Sequence, residues 1–541
     1  MKATMIITSN CIFDSLSFEP FAGFVAIKNN RIIAVERGDN YSHYIQPGTV
    51  VKSFDDNTVM AGFHDSHTHL LRAGLFKTYV NLADCKSEEE SALKVKEAVE
   101  AEPYKYTNWI RGFSWYHVFW DVKELPHAKT LDKYFPDQPV CLIHAEAHGA
   151  WINTAAMKLI GITKDTPDPK GGIIVRDKKG NPTGVLLEAA AGLATAHAFN
   201  FEPEEEKKII QSFLESAKKL GITSINDVQP YYQGNMGHID IYSQIDKAGD
   251  LTCRVHAAPD LLGDLDQVIE DQVTYTSDKL KITQVKQFLD GVVTTHTSLM
   301  LDEYADEPGN IGEELYDLKA IKRAVPEAHK RGLSVKLHSC GDRSARYAID
   351  FIEDAINKYG RSHCRHAIEH LEVVHDDDFE RIKELGIFPS VQPEHLALTD
   401  KFEDNPYPTV LGPERGYSCF PYRRLYAAAG ILGFGSDCPV VDNNPFLEIF
   451  RAVTRVHNDF QPEGGWMPEE KLTLSEALRC YTYGSAYGVM REDEIGSLSA
   501  GKFADLVVLD KDIFKIPEEE LLERKVIMTI MDGNIIYDVT E

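Results

Sequence analysis

The stretch Gly62-Phe-His-Asp-Ser-His-Thr-His69 follows the apolar run Thr58-Val-Met-Ala61, and together they predict the end of a buried strand. Residues two apart on a strand point to the same side, so His67 and His69 present two imidazoles to one point. A first-row metal such as zinc takes ligands of this kind. The chain has 20 histidines, so one such pair also arises by chance as an ordinary core or surface pair. The rest of the sequence decides between these interpretations.

Short apolar runs alternate with helical patterns through the middle of the chain. Strand–helix alternation repeated about eight times predicts an α/β fold, a parallel (β/α)8 TIM-like barrel. The predicted strands span residues 141–143, 222–226, 284–288, 333–337, 367–369, 388–391 and 431–434. The predicted helices span residues 204–220, 318–331, 344–358 and 376–385. The region of about 75–205 is too long for one crossover, and we expect it to be a lid insertion.

Both ends of the chain are rich in β-type runs. Residues 5–7, 24–27 and 32–35 form such runs near one end, and residues 504–509, 526–531 and 535–537 do so near the other. Chain termini often lie close together, so these segments are predicted to pair in one small β-sandwich domain. The predicted boundaries are 1–58 and 495–541 for this domain, and 59–494 for the barrel with its insertion.

Composition is that of an ordinary soluble globular protein, with 43% hydrophobic and 26% charged residues in a chain of 541. The formal net charge is −27 at pH 7. Such a surface repels phosphate backbones and anionic lipid, so neither nucleic acid nor a membrane is an expected partner. No apolar run approaches the roughly 18 residues needed to span a bilayer.

The nine cysteines show no Cys-x-x-Cys spacing, and their odd number argues against a disulfide framework. The first residues of the sequence lack the apolar segment and cleavage site of a signal peptide. We therefore expect a reduced, cytoplasmic protein.

Metal-ligand side chains recur at the ends of the predicted barrel strands, where a barrel places its chemistry. A buried histidine held by backbone carbonyls is commoner than a ligand, so any one of them is weak evidence. Six suitable groups on successive strand ends are harder to explain in that way, and they suffice for two metal ions. The six residues are His67, His69, Lys286, His338, His370 and Asp437.

With these residues the chain resembles the amidohydrolase superfamily, and more narrowly amidohydrolase family 3, the branch that includes N-substituted formamide deformylases. The resemblance runs nearly end to end. Besides the His-x-His strand it is carried by the segments 147–153, 184–188, 285–291, 368–370, 391–395, 435–439 and 496–506.

The resemblance implies a role for each ligand. His67, His69 and Asp437 would bind the more buried of two metal ions, and His338 and His370 would bind the second. Zinc (Zn2+) is the expected metal, with two ions per chain, although iron or manganese accepts the same ligands.

The resemblance further implies that Lys286 bridges the two metal ions as a carbamate, formed when the neutral amine captures carbon dioxide. Burial beside cations lowers the pKa of a lysine, which favours that neutral amine. The alternative is a plain ion pair between Lys286 and Asp290, four residues along the same strand.

The expected reaction is hydrolysis of a non-peptide, amide-type C–N bond in a small molecule. Metal coordination lowers the pKa of water from 15.7 to roughly 7 and so supplies hydroxide. Asp437 would take the proton of that water and later pass it to the leaving amine. Two alternatives stay open. A one-metal heterocycle deaminase generally lacks the lysine, and a non-catalytic scaffold on the same barrel characteristically loses ligands.

A second set of residues is predicted to bind substrate or to orient the oxyanion, with packing and helix capping as the alternative. It comprises His148, Trp151, Asn153, His395 and Trp115, the last from an aromatic cluster that suits an apolar wall. The chain has Glu146-Ala147 where family members usually carry Asp-Gly, and this departure leaves the substrate open. A homodimer is an expectation from the resemblance alone.

Overall fold

A computed structural model describes residues 1–145, 149–170, 172–228 and 238–540 of the chain. The chain divides into two compact units. The first comprises Met1–His69, Leu214–Gln229 and Tyr242–Glu541, and the second comprises Leu70–Phe213 and Pro230–Ile241.

The strands, in chain order, are β1 (Met5–Phe13), β2 (Phe21–Lys28), β3 (Arg31–Arg37), β4 (Val50–Ser53), β5 (Thr58–Ala61), β6 (Phe63–Thr68), β7 (Val80–Asn81), β8 (Ile110–Trp115), β9 (Val140–His144), β10 (Gly149–Ile152), β11 (Gly172–Arg176), β12 (Pro182–Glu188), β13 (Ile222–Val228), β14 (Arg254–Ala258), β15 (Leu280–Ile282), β16 (Gln284–Phe288), β17 (Ser334–Ser339), β18 (Ala367–His370), β19 (Phe388–Val391), β20 (Gly433–Phe434), β21 (Leu506–Leu509), β22 (Val526–Met531) and β23 (Asn534–Asp538). The α-helices are α1 (Leu70–Thr78), α2 (Glu88–Ala101), α3 (Ala128–Asp132), α4 (Thr154–Ile160), α5 (Ala191–Ala198), α6 (Pro203–Lys219), α7 (Ile239–Ala248), α8 (Leu265–Thr274), α9 (Leu318–Lys330), α10 (Asp342–Tyr359), α11 (Asp378–Leu385), α12 (Tyr407–Leu411), α13 (Pro413–Gly416), α14 (Tyr422–Ala429), α15 (Pro445–Thr454), α16 (Leu474–Arg479) and α17 (Ser485–Gly488).

Strands from both ends of the chain form one sheet in the first unit. Its order is β23-β22-β21-β5-β1-β2-β3, and β4 pairs with β1. Alternating side chains fill both faces, because Ile7 and Val25 belong to one buried cluster and Ile6 and Phe24 to another. The two ends therefore pair as expected. The described strands form one sheet, and the sandwich of two sheets, with its boundaries, stays a prediction.

Two all-parallel sheets of the first unit carry the barrel strands. Their orders are β15-β14-β13-β6 and β16-β17-β18-β19-β20, with helices between most successive strands. This alternation is that of a TIM-like α/β fold. The described strands do not form one continuous closed barrel. Single parallel bridges, Thr68 with Cys438 and Asp260 with Lys286, lie at the sheet edges instead. Among the described residues, the two sheets meet only through these single bridges, without a continuous strand pair between them. At one edge β20 has only two residues, and at the other a break at Thr283 separates β15 from β16.

Two strand assignments differ from the sequence-based expectation. Residues 141–143, predicted as a barrel strand, lie in β9 and belong to the sheet of the second unit. The barrel strand β14 is missed because Arg254 and His256 alternate with apolar residues, although all five residues are buried. The His256 ring has an internal partner, the carbonyl oxygen of Ile225 at 3.0 Å from Nδ1.

Local sequence explains where several helices begin and end. Asp317 accepts a hydrogen bond from the backbone N–H of Ala320 at the start of α9, with 2.9 Å between the two atoms. Gly386 ends α11 with a φ of 69°, a left-handed conformation that glycine adopts without a steric penalty. The four predicted helices correspond to α6, α9, α10 and α11.

The second unit contains a mixed sheet of order β11-β12-β10-β9-β8-β7. The pairs β7–β8 and β8–β9 are parallel, whereas β9–β10, β10–β12 and β11–β12 are antiparallel. Most of the predicted insertion lies in this unit, and its role as a lid stays a prediction.

No helix in the described part of the chain combines the length and apolarity needed to cross a membrane. All nine cysteines are free thiols, and eight of them are buried. The absence of a disulfide framework agrees with their odd number and irregular spacing.

Arg254 connects β14 to the last strands of the chain through a buried ion pair. Its Nε and Nη2 donate to the two carboxylate oxygens of Asp505 at 2.6 and 2.9 Å, and Nη2 also donates to Asp532 at 3.1 Å. The ring of Phe503 lies with its centroid 3.9 Å from the guanidinium carbon. Phe503 and Asp505, both in the segment 496–506, therefore make structural contacts with β14.

We expect Asp505→Ala to lower the free energy of unfolding by about 3–5 kcal/mol, because it leaves the charge of Arg254 buried without its bidentate partner. Urea unfolding followed by circular dichroism measures this loss. Asp532→Ala is the control and should cost less, since Asp505 still pairs with Arg254. Equal losses in the two variants would contradict the assignment.

Candidate metal centre

The six predicted ligands all lie in the first unit, at the carboxyl ends of its parallel strands. His67 is in β6 and His69 follows it, Lys286 is in β16, and His338 is in β17. His370 ends β18, and Asp437 comes three residues after β20. Parallel strands send their carboxyl ends to one face of the sheet, which is why residues so far apart in sequence meet.

Asp437 is close to both histidines of the opening motif. Its Oδ1 lies 3.4 Å from His67 Nε2 and 3.2 Å from His69 Nε2. The His370 ring lies between two others, with centroids 5.0 Å from His67 and 4.3 Å from His338. The structure thus brings these five side chains into one cluster.

The donor atoms of this cluster fit a transition metal. Ligand atoms of His67, His370 and Asp437 lie within 4.8 Å of one another. Both ring nitrogens of His370 and the Nζ of Lys286 are buried without a hydrogen-bond partner in the described chain. Buried polar atoms in folded proteins are nearly always paired, so the unpaired nitrogens of His370 beside the Asp437 carboxylate fit a site that could hold a cation.

The electrostatics of the cluster keep its groups in their ligand forms. Burial, reinforced by the charge of Lys286, lowers the pKa of His67 to about 4 and that of His338 to about 3. Burial alone would raise the pKa of Asp437, but His67 and His69 outweigh it and hold that pKa well below its usual range. Neutral imidazoles and an ionised carboxylate are the states that bind metal.

Backbone strain concentrates at the same place. His370, Leu371 and Asp437 have φ angles of 70°, 49° and 55°. Side-chain-bearing residues rarely adopt this left-handed region, at a cost of about 1–3 kcal/mol each. Such strain persists where the surroundings fix it, and here it aims two ligands at one point.

Close backbone approach also brings β6 and the segment after β20 together. A Cβ atom at Gly435 would lie only 2.4 Å from the backbone nitrogen of His67, so only glycine fits there. Asp65 then accepts hydrogen bonds from the backbone N–H and the hydroxyl of Ser436, at 3.0 and 2.6 Å. These contacts fix Asp437 opposite the motif histidines.

Comparison with known proteins agrees with this geometry. A model of the amidohydrolase family matches residues 55–537. The chain belongs to the amidohydrolase family. It is 31% identical to the protein LONG AFTER FAR-RED 3 of Arabidopsis thaliana, over 99% of this chain and 92% of that protein. It is 27% identical to N-substituted formamide deformylase of Arthrobacter pascens, over 95% of each chain.

The fold of this member of the amidohydrolase family also matches a solved structure. An uncharacterized metal-dependent hydrolase from Pyrococcus furiosus matches with a TM-score of 0.77 and 26% identity, over 94% of this chain and 99% of that one. The resemblance predicted from the sequence motifs is confirmed. The TIM-like α/β character of the fold is confirmed with it.

The structure adds a carboxylate that sequence reasoning missed, Glu369. It contacts His67 Nδ1 directly, and its other oxygen lies 3.0 Å from Nζ of Lys336. Burial alone raises the pKa of Glu369, yet the charge of Lys336 and the contact with His67 bring it to about 2. An ionised acceptor at Nδ1 orients the His67 ring and leaves Nε2 for the metal. The available signal was its position beside His370 in the Ile368-Glu-His370 motif.

The alternative for Lys286, an ion pair with Asp290, finds no support among the described contacts. Asp290 instead accepts hydrogen bonds from the backbone of Leu299, Cys340 and Gly341, at 3.0–3.1 Å, and from Ser344. Burial lowers the pKa of Lys286 to about 8, which brings the neutral amine within reach near neutral pH.

Two further buried groups border the cluster. Cys340, for which no role is predicted, has its Sγ 3.5 Å from His338 Nε2. His395, predicted to bind substrate, has its Nε2 3.9 Å from Asp437 Oδ2. Substrate contact by His395 stays a prediction, and its position beside Asp437 supports it.

The remaining predicted substrate residues lie in the second unit or outside the described chain. Asn153 is fully buried, and its amide donates to the carbonyl oxygens of Phe135 and Gln138 and accepts from the backbone of Ala156 at the start of α4. These contacts favour the capping interpretation. Trp115 and Trp151 are buried against each other with ring centroids 6.2 Å apart. His148 lies outside the described residues, and substrate contact by this set stays a prediction.

We expect Glu369→Gln to weaken metal binding by about 10- to 100-fold, because a neutral amide holds the His67 ring less firmly. Chelator competition monitored by elemental analysis measures the affinity. The control is Asp378→Asn, which removes a buried carboxylate at the start of α11 that pairs with Arg346 at 3.0 Å. If both variants retain wild-type affinity, Glu369 does not support the site.

Proposed function

We propose that this member of the amidohydrolase family is a metal-dependent hydrolase that cleaves an amide-type, non-peptide C–N bond in a small molecule. The proposal rests on one observation, the close approach of four side chains, His67, His69, His370 and Asp437. Both ring nitrogens of His370 are buried there without a hydrogen-bond partner in the described chain. Lys286, whose charge acts on His67 and His338, and His338, whose ring centroid lies 4.3 Å from that of His370, would complete a ligand set for two metal ions. We propose zinc for this set, with iron or manganese as the other candidates.

Metal ions bound in such a site polarise a carbonyl group and lower the pKa of water. The residues of the chain do the remaining work. The carboxylate of Asp437 lies against the ligands, is ionised at neutral pH, and can accept a proton from the attacking water. It then donates that proton to the nitrogen that leaves, so that acid and amine products separate. The electron pair of the broken C–N bond stays on that nitrogen.

Lys286 is proposed to act as a carbamate. The ammonium group first gives up one proton, and the neutral amine nitrogen then forms a bond to the carbon of carbon dioxide and releases a second proton. The two losses convert a buried cation into a carboxylate-like anion. The lack of a hydrogen-bond partner for Nζ and its lowered pKa support this step. The anion would offset the charge of two nearby metal ions.

The wider setting of the enzyme is proposed from the sequence. A small-molecule amide is the expected partner, and the net charge of −27 argues against nucleic acid. The free thiols favour a reducing, cytoplasmic location, and a homodimer follows from the family resemblance. A one-metal deaminase is the second candidate, and metal content near one ion per chain would favour it. Metal-free protein after careful purification would favour a scaffold.

The first test is a screen of metal-replete protein against N-acyl, N-formyl and cyclic amides, together with elemental analysis. We expect turnover of at least one class and metal content approaching two ions per chain. Failure to turn over any of them would contradict the proposed reaction.

For the substrate so found, Asp437→Asn should lower kcat by about 10²- to 10⁴-fold, because the amide cannot take up the proton of the attacking water. Metal content must be measured in the same sample, since Asp437 is itself a proposed metal ligand. Turnover near that of the wild type with metal still bound would refute the assignment of the base.

Lys286→Ala should abolish turnover and lower the metal content, and a short carboxylate such as acetate should restore part of both by replacing the carbamate. Lys336→Ala is the matched control. It removes a buried cation that pairs with Glu369, so acetate should give no recovery. Equal behaviour of the two variants would contradict the carbamate.

A further inference from the structure

At the edge of the candidate metal centre, the ring nitrogen Nε2 of His395 makes no hydrogen bond within the described chain. His395 lies in a short turn after β19, and its ring stacks on that of His370 at an angle of 13° with centroids 5.9 Å apart. The side chain is buried, and Nε2 has no hydrogen-bond partner in the described chain. Because an unpaired buried nitrogen is costly, Nε2 is placed to meet something that binds.

The other ring nitrogen of His395 faces a carboxylate that is itself held in place. Nδ1 lies 3.9 Å from Oε1 of Glu372, a separation that catalytic pairs often show before substrate binds. The second oxygen, Oε2, accepts a hydrogen bond from the hydroxyl of Tyr407 at 2.8 Å. The Glu372 carbonyl oxygen also accepts from the backbone N–H of Phe420 at 2.7 Å.

The strained backbone after β18 explains how Glu372 reaches this position. His370 and Leu371 are consecutive residues with positive φ angles, so the chain turns sharply between the metal ligand and the carboxylate. The Leu371 N–H donates to the carbonyl oxygens of Ser339 and Glu369, at 3.0 and 2.9 Å, which fixes the turn. One local distortion therefore orients both His370 and Glu372.

We propose that Glu372, held by Tyr407, is a positioning residue that fixes the His395 ring so that Nε2 hydrogen-bonds to the amide group of the substrate. The arrangement is carboxylate, then Nδ1, then an Nε2 that faces Asp437 at 3.9 Å without a hydrogen bond, in which an acidic group sets the tautomer and orientation of an imidazole. The proposal rests on the proposed function for the identity of the bound group. The positioning itself is a property of the free protein.

A double-mutant cycle tests whether Glu372 acts through His395. We expect His395→Gln to lower kcat/KM by about 100-fold with unchanged metal content, since it removes one hydrogen bond to the reacting amide. Glu372→Gln should cost about 10-fold on its own. The double variant should be no worse than His395→Gln, because the two residues form one unit. A loss near 1000-fold, the product of the two, would overturn the proposal.

Glu394→Gln is the matched control for this cycle. Glu394 precedes His395 in sequence but pairs with Arg451, whose Nε lies 2.8 Å from its carboxylate. Its effect on kcat/KM should add to that of His395→Gln, because its carboxylate is held by Arg451 and does not face Nδ1 of His395. If Glu394→Gln and His395→Gln were as non-additive as Glu372→Gln and His395→Gln, the cycle would report general packing around His395 rather than positioning. That result would overturn the proposal.

A second readout needs no substrate. In protein labelled with nitrogen-15 at histidine, the His395 ring signals are those that His395→Gln lacks. They should show the ring proton on Nδ1 in the wild type and a shifted tautomer population in Glu372→Gln. Unchanged signals would refute the positioning role. Absence of turnover in the amide screen would instead contradict the proposed function. It would also remove the proposed contact between His395 and the substrate amide, but not the positioning of His395 by Glu372.

Discussion

The contact between Glu369 and the His67 ring is the interaction that orients the candidate metal centre. Glu369 meets the cation of Lys336 on one side and His67 on the other, entirely away from solvent. Burying a carboxylate without such partners would cost several kcal/mol. The same contact holds Nδ1 of His67 against Glu369 and so turns Nε2 toward Asp437. One interaction therefore both compensates the buried charge of Glu369 and orients the His67 ring. Lys336 also donates to the carbonyl oxygen of Ser66, which links this network to β6.

Strained backbone then converts strand ends into ligand positions. His370, Leu371 and Asp437 all have left-handed φ angles, and each lies just beyond or at the end of a short parallel strand. Ordinary extended backbone would carry these side chains on along the strand direction. The turns redirect them toward His67 and His338. The parallel strands bring their carboxyl ends to one face of the sheet, and the left-handed residues set the directions of the side chains on that face.

The sequence signals for the proposed ligands are local. His67-x-His69 depends on the two-residue period of a strand, and the other ligands follow apolar runs. Strand β14 is missed because Arg254 and His256 interrupt its apolar pattern, and their compensating partners lie far away in sequence. Residues 141–143 are assigned to the wrong sheet because a short apolar run does not specify its neighbours. Glu372 and Tyr407 give no signal, since their contact spans 35 residues and a strained turn.

Two kinds of buried polar group therefore coexist in the first unit, and they have different explanations. Asp290 accepts hydrogen bonds from three backbone N–H groups and one hydroxyl, so its burial is compensated within the fold. The nitrogens of His370, Lys286 and His395 have no such compensation, and each costs about 1–3 kcal/mol when left unpaired. Folding alone gives no reason to keep three uncompensated groups around one carboxylate. The proposed metal ions and substrate would supply that reason, because they would pair with these nitrogens.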